Sequence, residues 1–289
     1  MKIMIIGADG QLGTDLCKVI PSAEQIPLTI KNLDVTGRER TAAVIKKYSP
    51  QVVINTSGYS RVDDCEDHET EAFAVNAIGV KYLADACRSV EAALVHISTD
   101  YVFDGRKGAP YTESDVPAPL SIYGVSKLAG EFIVRNDLKK FFLIRTTGLY
   151  GTAGSLSKGG GNFVENMIKL AAAGSELKVV TDEVLAPTYA LDLARKIFQL
   201  AKTDRYGLYH IVNRGGCFWH DFAVKIFELL GKSVAVRSLT ASELKTKARR
   251  PRYSVLDNAA LRAVGMDDMR DWPSALKAYL IERGHLKTR

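Results

Sequence analysis

The sequence predicts an α/β fold: a Rossmann-type doubly wound parallel sheet carrying a smaller C-terminal α/β substrate lobe. Three observations predict it. Short apolar runs alternate with helix-period segments through the first half of the chain, the rhythm of strands and their covering helices. The first run, Lys2-Ile-Met-Ile-Ile6, leads directly into Gly7-Ala-Asp-Gly10-Gln-Leu-Gly13 and then into a helix pattern. After Tyr150 the rhythm changes, which divides the chain into residues 1–150, a dinucleotide-binding unit, and 151–289, a substrate-binding lobe interleaved with the sheet.

Residues 2–6 read as a buried strand and 11–20 as a helix carried by Leu16, Val19 and Ile20. A strand, a glycine turn and a helix N-terminus make an anion site. Backbone N–H groups and the positive helix end face a pyrophosphate, and glycine lets the backbone approach it. The strand before and the helix after are the context that this motif requires. Residues 25–30 form the second strand and 39–48 the next helix. Strand 52–55 continues into Thr56-Ser-Gly58, small residues over which a cofactor can lie at the strand's C-terminal edge. Helix 70–88 follows, and strand 93–98 delivers Ser98-Thr99-Asp100 to the same edge. Helix 121–136 carries Tyr123 and Lys127, and strand 141–145 ends the first half.

Tyr123 and Lys127 are four apart, so they share one helix face. A phenol beside an ammonium is a general acid with a built-in tuner. Free tyrosine titrates near ~10, and bringing it to ~7 takes roughly 4 kcal/mol of phenolate stabilisation. Thr99 adds a neutral hydroxyl that can hold a substrate oxygen.

Beyond residue 150, 151–161 is rich in glycine and serine and reads as a mobile loop. Helices are expected at 162–173, 189–202, 220–230, 257–264 and 272–283, and strands at 178–181 and 207–212. Lys245-Thr-Lys-Ala-Arg-Arg-Pro-Arg252 is strongly basic. One short basic run without stacking aromatics does not suit nucleic acid, whereas guanidinium forks match a diphosphate.

The 289 residues are 46% hydrophobic and 25% charged, with a net charge of +6. This is the composition of a globular protein, and the mild charge suits an anionic small molecule. No apolar run approaches the ~20 residues of a membrane span. The chain begins directly on a strand, so no signal peptide is expected and the expected compartment is cytoplasmic. Cys17, Cys65, Cys87 and Cys217 show no metal spacing and read as small apolar residues. Asp63, Asp64, Glu66 and Asp67 form no metal site, since no His or Cys set completes them. His96, inside a strand pattern, reads as a core histidine.

With these residues in place, the chain resembles the RmlD-type dTDP-4-dehydrorhamnose reductases of the extended short-chain dehydrogenase/reductase superfamily. The resemblance runs nearly end to end. It is carried by Val53-Ile-Asn-Thr-Ser-Gly-Tyr59, Val75-Asn-Ala77, Ser98-Thr-Asp-Tyr-Val-Phe-Asp-Gly105, Tyr123-Gly-Val-Ser-Lys127, Asn162-Phe-Val164, Ala186-Pro-Thr188 and Arg249-Arg-Pro251. It implies a catalytic set of Thr99, Tyr123 and Lys127. Tyr123 would protonate the sugar oxygen, Lys127 would hold the nicotinamide ribose and tune Tyr123, and Thr99 would bond the reacting carbonyl. Gly7, Gly10, Gln11, Leu12 and Gly13 would wrap the pyrophosphate. Asp34 and Val35 would sit by the adenine, with Thr56, Ser57 and Gly58 behind the cofactor. Asp100, Tyr101, Phe103 and Gly148 would border the sugar, and Asn162 and Arg250 would reach the nucleotide diphosphate. No metal is implied.

The implied reaction is reduction of the C4 ketone of a nucleotide-linked 6-deoxy-4-keto sugar. NADPH is the expected cofactor, with NADH open to it. Thr29 and Lys31 stand where NAD-specific folds place an acid. A nucleotide sugar is the expected partner, a homodimer is left open, and neither nucleic acid nor membrane is expected. Two rival readings share the fold: a non-catalytic NADP-binding subunit like the accessory subunit of methionine adenosyltransferase, and a sugar-nucleotide epimerase or dehydratase. One departure stands out. Where the family usually reads Arg-x-Ser-Trp-Val-Tyr-Gly, this chain reads Arg145-Thr-Thr-Gly-Leu-Tyr-Gly151. Glycine at 148 implies either a roomier sugar site or closure over the sugar by Tyr150 or the 151–161 loop.

Overall fold

The computed structural model describes residues 1–154 and 160–287. In chain order its elements are β1 (Ile3–Ile6), α1 (Gln11–Val19), β2 (Gln25–Leu28), α2 (Arg38–Tyr48), β3 (Val52–Asn55), α3 (Glu69–Phe73), a π turn (Ala74–Ile78) and α4 (Gly79–Ser89). They continue as β4 (Ala93–Thr99), α5 (Ile122–Asp137), β5 (Phe141–Thr146), β6 (Leu149–Tyr150), α6 (Phe163–Ala172), β7 (Leu177–Val180), β8 (Val184–Leu185) and β9 (Thr188–Tyr189). The last are α7 (Ala190–Leu200), β10 (Gly207–His210), β11 (Cys217–Phe218), α8 (Trp219–Leu229), β12 (Val236–Leu239), α9 (Ala259–Ala263) and α10 (Trp272–Glu282).

Six strands pair in parallel in the order β10-β5-β4-β3-β1-β2. β1 is buried along its whole length, as a strand covered on both faces must be. Its alternate side chains feed two layers. Ile3 and Ile5 join Leu12 and Leu16 of α1 and Leu193 and Ile197 of α7. Met4 and Ile6 join Val44 and Ile45 of α2, Val80 and Leu83 of α4, and Val134 of α5. Each such side chain contributes about 1.5–3 kcal/mol when fully buried.

Residues 1–150 do not complete this sheet alone. α7 returns to pack beside α1, and β10 adds an edge strand whose Tyr209 lies opposite Ile144. The lobe has its own core, built from Tyr150, Val164, Met167, Phe222, Tyr279 and neighbours. No described helix is long and apolar enough to cross a membrane.

Two differences from the sequence pattern bear on the site. The expected strand 25–30 ends at Leu28, because Asn32 Oδ1 accepts the N–H and hydroxyl of Thr29 and turns the chain. The expected continuous helix 70–88 contains the π turn, which swings Asn76 inward toward the loop after β3. Such turns recur at functional sites.

Candidate active site

The strand order reverses between β1 and β3, the crevice where open α/β sheets take ligands. The glycine turn lies on one side of it. Gly7 has φ +80, and a Cβ on Gly13 would fall 2.0 Å from the Gly7 carbonyl, so no side chain is tolerated where the turn meets α1. The Thr56 hydroxyl ties the turn down by donating to the carbonyls of Ile6 (2.8 Å) and Gly7 (3.1 Å). Gly10 caps α1 without a side-chain bond. The first-turn N–H groups are therefore presented to an anion instead of a cap, which fits a dinucleotide pyrophosphate. Gln11 donates to Leu149 O while its Oε1 is buried without a partner. Leu12 packs into the core, so only its backbone can face a ligand.

On the other side of the crevice, Asn55 Oδ1 accepts the N–H and hydroxyl of Ser57. Asn76 brackets Tyr59, accepting from its N–H and donating to its carbonyl, and also donates to Ser126 Oγ. Neither asparagine was given a role from sequence. These bonds hold Gly58 against the catalytic helix: a Cβ on Gly58 would lie 3.9 Å from Lys127 Nζ.

In the loop after β2, Asp34 is exposed and accepts from the Thr36 N–H and hydroxyl, while Val35 is core. Past β2, Lys31, Asn32, Arg40 and Lys47 line a cavity of about 250 Å³. A cluster of cations at the end of this strand fits a ribose phosphate better than free ribose hydroxyls.

Thr99 ends β4, and Tyr123 and Lys127 follow the Ser121 cap of α5, which accepts the Gly124 N–H. Burial pushes the Tyr123 phenol well above the usual tyrosine range, opposed by its hydrogen bond with Thr99. Asp100 and Cys65 raise it further. The Lys127 ammonium donates to Ile97 O at 2.7 Å. Burial lowers its pKa to about 8, against the opposing charge of Glu131. Glu131 itself forms a buried two-point pair with Arg145. At neutral pH the buried phenol is held in its protonated form. Burial likewise drives His96 down to the neutral form of a core histidine that bonds Asn55.

Asp100, Tyr101 and Gly148 line one small cavity with Thr147, Glu183 and Trp219. Tyr101 meets Tyr123 edge-on, with ring centroids 5.6 Å apart. Three residues expected here lie elsewhere or are occupied. Phe103 is fully buried, stacked on Tyr111 at 4.2 Å with Arg145 over its ring, so it packs the core and does not border a sugar. Asn162 caps α6, and its amide donates to Gly151 O and Tyr279 Oη. Its hydrogen-bonding groups are engaged within the lobe. Arg250 stands beside the cavity, but its fork is closed on Asp63, at 2.7 and 3.2 Å.

Gly148 does not open extra room. Its φ is +54, and a Cβ there would lie 2.5 Å from Leu185 Cδ1, 3.2 Å from Pro187 Cα and 3.3 Å from Ala186 O. Leu185 fills the place where a side chain at 148 would begin. Tyr150 does not close over the cavity either. It is buried in the lobe between Tyr189, Phe222 and Tyr279. The other expected cover, the 151–161 loop, falls at 155–159 outside the described residues. The carboxylates at 63–67 bond Arg250, Tyr59, Ile122 N–H and Lys247.

The family model of the RmlD substrate binding domain matches residues 1–284. The spore coat polysaccharide biosynthesis protein SpsK of Bacillus subtilis (strain 168) is 40% identical over 284 residues, covering 98% of each chain. A dTDP-4-dehydrorhamnose reductase structure from Clostridium acetobutylicum ATCC 824 is 42% identical with a TM-score of 0.93, covering 98% of this chain and all of that one. A dTDP-4-dehydrorhamnose reductase from Bacillus anthracis str. Ames, solved in complex with NADP, gives 39% and 0.93 with the same coverage.

Proposed function

The chain belongs to the RmlD substrate binding domain family, and from that premise we propose that it is an NADPH-dependent reductase of a nucleotide-linked 6-deoxy-4-keto sugar, converting dTDP-4-dehydrorhamnose to dTDP-L-rhamnose. When bound, NADPH supplies the hydride for C4. The glycine turn and the Thr56-Ser57-Gly58 loop hold it across the crevice, with Lys31 and Arg40 at the end that carries the extra phosphate. Tyr123 donates to the ketone oxygen, and Thr99 turns its hydroxyl from Asp100 to join it there. Tyr123 gives up its proton as charge builds on that oxygen, general acid catalysis in which a phenol held protonated is the competent form. Lys127, with its pKa near 8, is mostly cationic at neutral pH and holds the ribose beside the reacting centre. Arg250 exchanges Asp63 for the sugar nucleotide's diphosphate, a bidentate match.

The observation that carries this reading is the meeting of Thr99, Tyr123 and Lys127 with the Gly58 loop at the sheet's reversal point. The test is NADPH oxidation by the purified protein with dTDP-4-dehydrorhamnose. Oxidation that depends on the sugar supports the reading. Tight NADPH binding with no turnover of this or related 4-keto sugars would point to a regulatory cofactor-binding subunit.

A further inference from the structure

Glu183 is only 9% exposed, and among the described residues its carboxyl has no hydrogen-bond partner; Arg250 acts on it through charge. Its carboxyl oxygens are not fully buried, so they are open to a ligand group. Its backbone is fixed. The Glu183 carbonyl accepts from Trp219 N–H, and the next residue, Val184, is bonded on both sides to the 252–254 segment. The side chain is therefore aimed from a fixed base.

It lines the cavity beside Gly148. Among the other polar walls, Asp100 accepts the hydroxyls of Thr99 (3.0 Å) and Thr147 (2.7 Å), and Ser254 also bonds it. Trp219, held against Phe163 at 4.6 Å, forms an aromatic wall that position 148 lacks. The cavity is small, about 40 Å³, and open to solvent, room for a hydroxyl-sized group or two, since one water needs roughly 10–15 Å³ on this measure.

We propose that Glu183 determines specificity, its carboxyl bonding one hydroxyl of the sugar ring as that hydroxyl enters the cavity between Trp219 and Gly148. This rests on the reductase reading. A site built to bond a hydroxyl rejects an analogue lacking it far more strongly than an apolar pocket does, because the polar group is left unpaired. Burial raises the Glu183 pKa and Arg250 opposes the rise; in either protonation state a carboxyl oxygen can accept a hydrogen bond from the hydroxyl.

The experiment measures kcat/KM for dTDP-4-dehydrorhamnose and for analogues lacking the 2- or the 3-hydroxyl, in wild type, Glu183→Gln and Glu183→Leu. The wild type is expected to discriminate against one analogue. Glu183→Leu should lower kcat/KM for the full sugar roughly 10- to 150-fold, the worth of a charge-assisted hydrogen bond, and leave that analogue and the KM for NADPH unchanged. Glu183→Gln should recover part of the loss. The melting temperature should not fall in either variant, since an unpartnered carboxyl is removed; a fall would indicate a structural role. An active wild type with equal losses for all three sugars overturns the proposal and leaves the reductase reading standing. A wild type that turns over none of them overturns both.

Discussion

Replacing Gly148 by alanine tests the packing beneath the sugar cavity. Two costs add. Alanine at φ +54 sits in the left-handed region, at about 1–2 kcal/mol. Its Cβ would meet Leu185 Cδ1 at 2.5 Å, against an ordinary carbon contact of roughly 3.5–4.0 Å. Leu185 is buried, and Pro187 Cα and Ala186 O close the remaining sides, so the leucine must leave its rotamer; overpacking of this kind costs about 1–3 kcal/mol. The expected total is about 2–5 kcal/mol, a large share of the 5–15 kcal/mol typical of a domain. Leu185→Ala alone leaves a cavity and costs about 2–5 kcal/mol. Together the two substitutions relieve the clash, and the new Cβ takes up part of the cavity. The double variant should thus be more stable than the sum of the singles by about 1–3 kcal/mol. Urea unfolding of the four proteins, with unchanged m-values, gives this coupling. Additive losses would refute the claim that Leu185 occupies the space at position 148. By the same reasoning Gly148→Trp does not restore a family-like site; it lowers stability more than Gly148→Ala.

Tyr123→Phe should leave NADPH binding intact and lower kcat by ~10²–10⁴, read from steady-state rates beside cofactor titration; near-normal turnover would remove Tyr123 from the acid role. Burial holds Lys127 near a pKa of about 8, so its ammonium is lost as pH rises through that value. The kcat/KM for NADPH should fall on the alkaline side with a midpoint near there, and a profile flat up to the ordinary lysine range would contradict the assignment. Arg250→Ala should weaken nucleotide-sugar binding by about 1.5–3 kcal/mol without weakening NADPH, while Asp63→Asn, which frees the fork, should tighten it. Calorimetric titration of both ligands decides, and losses shared equally would place the arginine elsewhere. Lys31→Glu with Arg40→Glu should reverse the preference for NADPH over NADH, measured as a ratio of kcat/KM values; an unchanged ratio would move the phosphate site away from β2.

The sheet was legible in the sequence because its central strands are short, mostly apolar and followed by small residues, the pattern of a parallel sheet covered on both faces. The glycine turn was legible for a similar reason: at Gly7 and Gly13 the backbone leaves no space for a Cβ. Tyr123 and Lys127 could be paired because helical spacing is local. What sequence could not give was the direction of side chains in three dimensions. Phe103 lies in the same motif as Asp100 and Tyr101, yet the turn after β4 sends it into the core. Asn162 looks like a ligand residue and is spent on capping α6. Arg250 reads as a free cation, and its partner Asp63 is remote in sequence. Glu183 carried no signal, since an acidic pair, Asp182-Glu183, before a two-residue strand is unremarkable until the cavity around it is seen. The vacancy implied by Gly148 is an illusion of aligned text, since Leu185 arrives from another strand to fill it.

The central claim is that hydride passes to C4 of the sugar while Tyr123 protonates its oxygen. The most direct measurement uses NADPH deuterated at the transferable position of its nicotinamide, with dTDP-4-dehydrorhamnose as acceptor, followed by NMR and mass analysis of the product. The account predicts one deuterium, bound at C4, appearing in step with cofactor oxidation in the wild type and slowed in Tyr123→Phe. A product without deuterium at C4, or cofactor bound while the sugar is returned unchanged, would contradict it.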